Sequence, residues 1–398
     1  MLFNSWIYAF FLALTCLLYW SLPWRAARQW LLIGAGMAFY AYYYPPHLWV
    51  IAGFTILIFV VTVAADGRRP TTRGRLLGGA AALCIGVLAY FKYQGFLRDS
   101  LAALGWPDLT AWGTTDVRVP LAVSFFTFEY VHYLIELRRG TIARARFADF
   151  LLFIMFFPTL ICGPIKRFND FQPQIGRGRF DPDEISAGLG RIVEGLAKKI
   201  IVADTVARWI APVWADPAAH GWGALWLGTY GYAVQIYFDF AGYSDIAIGS
   251  AQLLGYHVPE NFDAPYLKSN IAAFWRSWHM SLTSWITDYV YIPLGGNRLG
   301  RWRSHLNRLI AMTLCGLWHG AAWHFALWGF YHGVGLGVYR AYQDARRRLQ
   351  PAWQPSQHPV MRGIATLATF HFVCVGWVLF VADFTTARHV IARLLLLQ

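Results

Sequence analysis

The sequence predicts an all-α polytopic membrane protein, and three observations carry that expectation. The chain has 398 residues, 57% of them hydrophobic and only 14% charged, against about 25% charged in a soluble domain. Apolar runs close to the length of a bilayer crossing recur from end to end. Its 20 Trp and 21 Tyr suit a protein with many anchors at headgroup level. A net charge of +13 would also suit nucleic acid. The basic residues, however, cluster in short loops between apolar runs, which is the positive-inside pattern, and nucleic acid binding is set aside on that ground.

The first apolar run has no basic leader and no small-x-small cleavage site, so it reads as a retained span. Candidate spans follow at about 5–22, 30–44, 47–65, 76–93 and 119–137, with Pro45-Pro46 as a tight turn between the second and third. Arginines follow the first (Arg25, Arg28), third (Arg68, Arg69, Arg73, Arg75) and fifth (Arg138, Arg139, Arg144, Arg146). Placing all three loops in the cytosol puts the N-terminus and the loop 94–118 outside. The run 147–162 ends at Gly163-Pro164 and reads as a span or as a re-entrant segment held against protein or a water-filled cavity. Residues 184–215 form an amphipathic pattern, either interfacial or a tilted span. A long run at about 222–254 is broken by Asp239 and Asp245. Residues 255–305 are more polar, and runs at about 306–323, 325–342 and 360–382 close the chain. No repeat and no soluble domain is visible, so the whole of 1–398 reads as one integral membrane domain, with a motif-rich core at about 120–345.

His319, inside Leu317-Trp318-His319-Gly320, is the residue best suited to chemistry. An imidazole within an apolar run is expensive and faces a polar cavity or a partner, and histidine moves protons near neutral pH. Counted from the start of its run it lies about 20 Å deep at 1.5 Å per residue. A structural imidazole bonding a neighbouring helix is the competing reading. His279, in Trp275-Arg276-Ser277-Trp278-His279, is either part of an interfacial helix or part of a polar gate for a cytosolic donor. Asp239 and Asp245, within Phe238-Asp239-Phe240-Ala241-Gly242-Tyr243-Ser244-Asp245, fall on different helix faces and suit bonds to neighbouring helices better than a catalytic pair. With Tyr243, Ser244 and Glu136 they make a candidate intramembrane polar network. Glu129, His132 and Glu136 share one helix face, which fits a proton path and a structural network alike. Gly333, Gly335 and Gly337 suit close helix packing rather than nucleotide binding. The five scattered cysteines read as buried apolar residues. No histidine spacing suits a metal, and neither a metal nor a bound cofactor is expected.

The ordered strings Phe157-Pro158, Gly163-Pro164-Ile165, Phe238 to Asp245, Pro259-Glu260-Asn261-Phe262, Phe274 to Leu282, Asp288 to Arg298 and Gly316 to Gly320 resemble the bacterial branch of the membrane-bound O-acyltransferase family. The resemblance implies a ring of tilted transmembrane helices around a central funnel, with short interfacial helices. It implies that His319 matches the family's central catalytic histidine and His279 a second, more variable His or Asn position. Relatives of this kind O-acetylate alginate, cellulose or peptidoglycan, or D-alanylate teichoic acids. The expected activity is therefore transfer of an acyl group, acetyl first, from acetyl-CoA or another cytosolic acyl thioester to a hydroxyl of an extracytoplasmic polysaccharide, with an extracytoplasmic acyltransferase partner, in the bacterial inner membrane. Arg276, Trp278, Asp288, Asn297, Arg298 and Trp318 are the candidate donor- and substrate-binding residues, and Arg276, Lys268 and Arg298 are placed to neutralise donor phosphates. The chain departs from the pattern at Ser277, where many relatives have arginine, and at Glu129 and His132, where relatives are commonly neutral. Alginate-type relatives carry a further C-terminal segment, so the chain is either a short form or truncated. The rival readings are D-alanyl transfer to teichoic acid, a proton-coupled transporter or flippase without acyl chemistry, and a scaffold for an external acyltransferase.

Overall fold

The computed structural model describes residues 1, 3–106, 119–349 and 358–396. Their regular structure is all helical, with no strand among them, as an apolar chain with no water at its backbone requires. Internal packing divides the chain into two compact units, Met1–Leu196 with Tyr243–Pro259, and Ala197–Gly242 with Glu260–Gln398.

The first unit contains α1 (Trp6–Ser21), α2 (Arg25–Ala41), α3 (Pro45–Ala65), α4 (Pro70–Ala103), α5 (Val123–Arg139), α6 (Phe147–Met155), α7 (Phe168–Phe171) and α8 (Pro182–Leu196). On α1 the buried positions are Tyr8, Leu12, Thr15 and Tyr19. On α3 they are Ile51, Thr55, Ile58, Thr62 and Ala65 with His47. Both sets follow the helical repeat, while Trp6, Phe10, Leu17 and Trp49 stand exposed on the opposite faces. Surfaces apolar on both sides are what a lipid solvent selects. Among the described residues α3, α4 and a later helix, α15 (Pro359–Val381), are long and apolar enough to cross a bilayer by length and composition. That is fewer than the runs in the sequence suggest, because α1, α2 and α5 are 16 or 17 residues long and the later helices carry polar turns.

Several boundaries differ from the sequence expectation for local reasons. Pro45 and Pro46 open α3 instead of forming a turn, since proline's fixed φ suits a first helical turn whose N–H groups need no partner. Residues 94–103, expected as loop, continue α4, and residues 107–118 lie outside those described. The run 147–162 is the nine-residue α6 followed by a 3-10 turn at Phe157–Thr159, with Asp149 to Leu160 all buried. A helix that short spans about 13 Å, so α6 alone is too short to cross a bilayer. Gly36 of α2 lets it pack close: a Cβ at Gly36 would fall 1.8 Å from the Met155 carbonyl oxygen. The 184–215 stretch is interrupted by a π-helical turn at Ala197–Ala203 before α9 (Asp204–Ala215).

The long α10 (Trp222–Leu253) contributes to both units. The second unit adds α11 (Ile271–Ser277), α12 (Met280–Ile286), α13 (Arg301–His319), α14 (Trp323–Leu349), α15 (Pro359–Val381) and α16 (Phe384–Leu394). Its core is aromatic: Phe274, Trp275, Trp278, Trp328 and Trp377 are buried together. The α13–α14 hairpin closes through glycine. A Cβ at Gly316 would lie 2.1 Å from the Phe325 carbonyl oxygen, and one at Gly329 2.1 Å from that of Met312. Gly333 and Gly335 likewise face Leu309 and Phe372, so the glycines of α14 do serve close packing. Because backbone atoms on the partner helix cannot give way, Gly329→Val is expected to cost at least about 3 kcal/mol, the upper end for overpacking. The check is a collapse of folded yield and melting temperature in detergent.

The last helix, α16, lies beyond the final run expected from the sequence at about 360–382. Asp383 caps it, accepting from the N–H groups of Thr385 and Thr386, and these bonds, led by that of Thr386, hold its carboxyl below the usual carboxylate range. A depressed native value stabilises above the unfolded carboxylate value of about 4 and is lost as pH falls through the native one. Protection of α16 amides in hydrogen exchange is therefore expected to fall on acidification below about pH 4 and to be insensitive to pH in Asp383→Ala.

Candidate active site

Both singled-out histidines belong to the second unit. His319 is the last residue of α13, and Gly320 leaves the helix with φ −158° and ψ 147°. The expected uninterrupted crossing at 306–323 is thus corrected: the helix starts earlier, at Arg301, and stops at the histidine. His319 stands 18 residues beyond Arg301, about 27 Å along the axis. Glycine at 320 is required by what covers it, since a Cβ there would fall 2.0 Å from the Phe325 ring. The half-buried imidazole of His319 is bounded edge-to-face by Trp328 at 5.4 Å and Phe380 at 5.1 Å, and by Trp318 at 4.7 Å. Trp328 is itself held by Trp377, Trp275 and His332. The aromatic walls leave the ring few rotamers, which is what orienting a proton carrier demands.

His279 is held differently. It sits between α11 and α12 with φ 43° and ψ 55°, a left-handed conformation uncommon outside glycine. The segment around Asn261 secures it from both sides: Asp263 N–H donates to the Ser277 carbonyl, and Met280 N–H donates to that of Asn261. The Asn261 side chain is fully buried. Its Oδ1 accepts from Ser281 Oγ at 2.6 Å and lies 3.2 Å from His279 Nδ1. An amide oxygen only accepts, so Nδ1 carries the hydrogen and Nε2 the lone pair. Nε2 is buried with no hydrogen-bond partner among the described residues. Phe240 packs edge-on against the ring at 4.6 Å, and Trp318 lies 6.0 Å away. Trp318 therefore contacts both imidazoles, which lie within electrostatic reach of one another.

The other candidates disperse. Trp278 is buried among Phe262, Phe274 and Trp377, a core position. Arg276 and Arg298 are exposed, and Lys268 pairs with Asp263 at 2.7 Å. Asp288 lies in a π-helical turn, Thr287–Tyr291, a feature common at functional sites. Asn297 fastens the next loop to α13, its Oδ1 accepting from Tyr291, Ser304 and Arg308. Asp239 pairs with Lys199 of the other π-helical turn, Asp245 with Arg191 at 2.7 Å, and Glu136 with Arg139 at 2.8 Å. Tyr243 packs on Phe3 at 6.3 Å and Ser244 is buried. Each of the three carboxylates thus pairs with a neighbouring cation, and Lys199 also pairs with Asp204.

On the shared face of α5, Glu129 forms a buried ion pair with Lys166, and His132 Nε2 accepts from the Phe168 N–H at 2.8 Å. Lys166 also lies 4.8 Å from the Phe153 ring. Lys166→Met alone strands a buried carboxylate and is expected to destabilise by about 3–5 kcal/mol. Glu129→Gln with Lys166→Met is expected to restore most of the loss, read as melting temperature of the detergent-solubilised protein. Of the residues around the histidines, Asn261, Phe240, Trp328 and Phe380 were not singled out beforehand. The available signal was that Asn261 and Phe240 fall within motif strings.

A family model described as MBOAT, membrane-bound O-acyltransferase family, matches residues 6–381. Among curated relatives, a probable alginate O-acetylase of Azotobacter vinelandii is 37% identical over 96% of this chain and 75% of its own length. A peptidoglycan O-acetyltransferase of Helicobacter pylori is 30% identical over 89% of this chain and 70% of its own. A teichoic acid D-alanyltransferase of Bacillus subtilis is 32% identical over 65% of this chain and 68% of its own.

Proposed function

The chain belongs to the membrane-bound O-acyltransferase family and is an O-acyltransferase; from that premise we propose that it moves an acetyl group from a cytosolic thioester, acetyl-CoA or another acyl thioester, to a hydroxyl of an extracytoplasmic polysaccharide by way of a partner protein. Acetyl is favoured over D-alanyl because the relatives named for O-acetylation match along nearly the whole chain, whereas those named for D-alanylation match about two thirds of it. The membrane is the bacterial inner membrane, with the N-terminus outside.

The observation that carries the reading is the meeting of two differently held imidazoles at Trp318. The acceptor oxygen attacks the thioester carbonyl, forming a C–O bond as the C–S bond breaks. The acceptor's proton passes to His319 as general base and on to the departing thiolate. A partner's nucleophilic hydroxyl takes the acyl group by the same balance. His279 orients the donor or acceptor by accepting a hydrogen bond at Nε2. A thioester is already activated, so the step needs neither metal nor phosphate chemistry.

The test is the ester content of surface polysaccharide from cells with and without the protein, with the acid released by mild alkali identified. Acetate lost with the protein is the expected result. D-Alanine lost instead would move the assignment to teichoic acid, and unchanged ester would overturn it.

A further inference from the structure

The first unit contains a polar cavity of about 650 Å³ between the start of α2 and the loop Gln172–Arg177. Its charged lining is Arg25, Arg146, Arg177 and Asp149, three positive groups against one negative. Asp149 is already engaged, accepting from Gln29 Nε2 at 2.8 Å and lying 3.4 Å from Arg146. Arg25 and Arg177 have no ionic partner among the described residues. The loop is seated against Arg25: Gly176, at φ +71°, places its Cβ direction 3.6 Å from the arginine's aliphatic stem. The neighbouring Arg28 is committed elsewhere, to the Leu22 carbonyl and the rings of Tyr19 and Trp20. Two unneutralised guanidinium groups facing one polar cavity make a receptor for a phosphate, which they can each grip with two N–H donors.

We propose that this cavity binds the phosphodiester headgroup of an anionic membrane lipid. The surroundings choose a lipid over a soluble phosphate. Trp24 and Trp30 stand exposed on either side of Arg25, as anchors at headgroup level do, and the exposed Leu17 and Leu18 of α1 offer apolar surface for acyl chains. Basic pockets between membrane helices are suited to such headgroups. None of the residues described for acyl transfer takes part, so the two readings stand or fall separately.

The test titrates the purified full chain with phosphatidylglycerol and with phosphatidylcholine and reads bound lipid by native mass spectrometry. Phosphatidylglycerol is expected to bind more tightly, and Arg25→Gln with Arg177→Gln to weaken it about 30-fold, at about fivefold per arginine. Arg69→Gln with Arg75→Gln, which removes the same charge from the exposed start of α4, is expected to change it little. Ala26→Glu, placing a carboxylate at the cavity wall, is expected to weaken binding similarly and serves if the double variant fails to fold. Unchanged affinity in the cavity variants, or equal loss in the control pair, would overturn the proposal. Displacement of phosphatidylglycerol by inorganic phosphate or coenzyme A at lower concentration than the lipid would assign the cavity to a soluble phosphate instead.

Discussion

Replacing His319 with Ala or Gln is expected to remove nearly all ester from the surface polysaccharide while leaving protein in the membrane at wild-type level. His319 is the last residue of α13 and is half-buried, so its loss strands no buried charge and leaves the helix pair Gly316–Gly329 untouched. What goes is the proton acceptor, and general base catalysis contributes about 10²–10⁴-fold. Glutamine keeps bulk and hydrogen bonding without a titrating nitrogen. Equal failure of Ala and Gln therefore separates proton transfer from packing against Trp328 and Phe380. Partial rescue by Gln alone would make His319 an orienting group.

Asn261→Leu carries the second large effect. The fully buried amide oxygen fixes His279 with its hydrogen on Nδ1 and its lone pair on Nε2. Leucine removes that acceptor without removing bulk, and the imidazole is free to exchange tautomers. In a hydrolase triad, holding the wrong tautomer costs about 10⁴ in rate, so a loss of about 10²-fold or more is expected here. Ser281→Ala removes a second donor to the same oxygen and leaves the His279 bond in place, so a loss under about tenfold is expected, the size of one neutral hydrogen bond. A merely structural Asn261 would lower membrane levels of both variants together. A positioning Asn261 lowers turnover per molecule in Asn261→Leu and shifts its pH–rate profile.

The all-helical fold was legible because lipid solvation leaves a chain with this composition few alternatives. Helix ends were less so. Pro45-Pro46 is compatible with a turn and with a helix start, and only packing of α3 decides. Apolar content also misplaced the helix bearing His319, since Arg301 to Arg308 are helical despite their charge and Gly320 ends the helix because Phe325 needs the space. His319 and His279 stood out in sequence as imidazoles in apolar strings. Their meeting at Trp318 did not, because 40 residues separate them and the contact depends on how α11, α12 and α13 pack. Asn261 was invisible as a partner for the same reason: it lies 18 residues from His279. Trp278, in the same string as His279, turned out to be core, since apolar aromatic residues at a site and in a core read alike.

The most direct measurement of the central claim follows label from acetyl-CoA, carbon-labelled in the acetyl group, in membranes containing the wild-type chain or His319→Gln, with released thiol counted alongside. The account predicts equal thiol release and label transfer to alkali-labile ester in the wild type, and neither in the variant. Label reaching ester at the wild-type rate in His319→Gln, or movement of substrate across the membrane without thiol release, would contradict it.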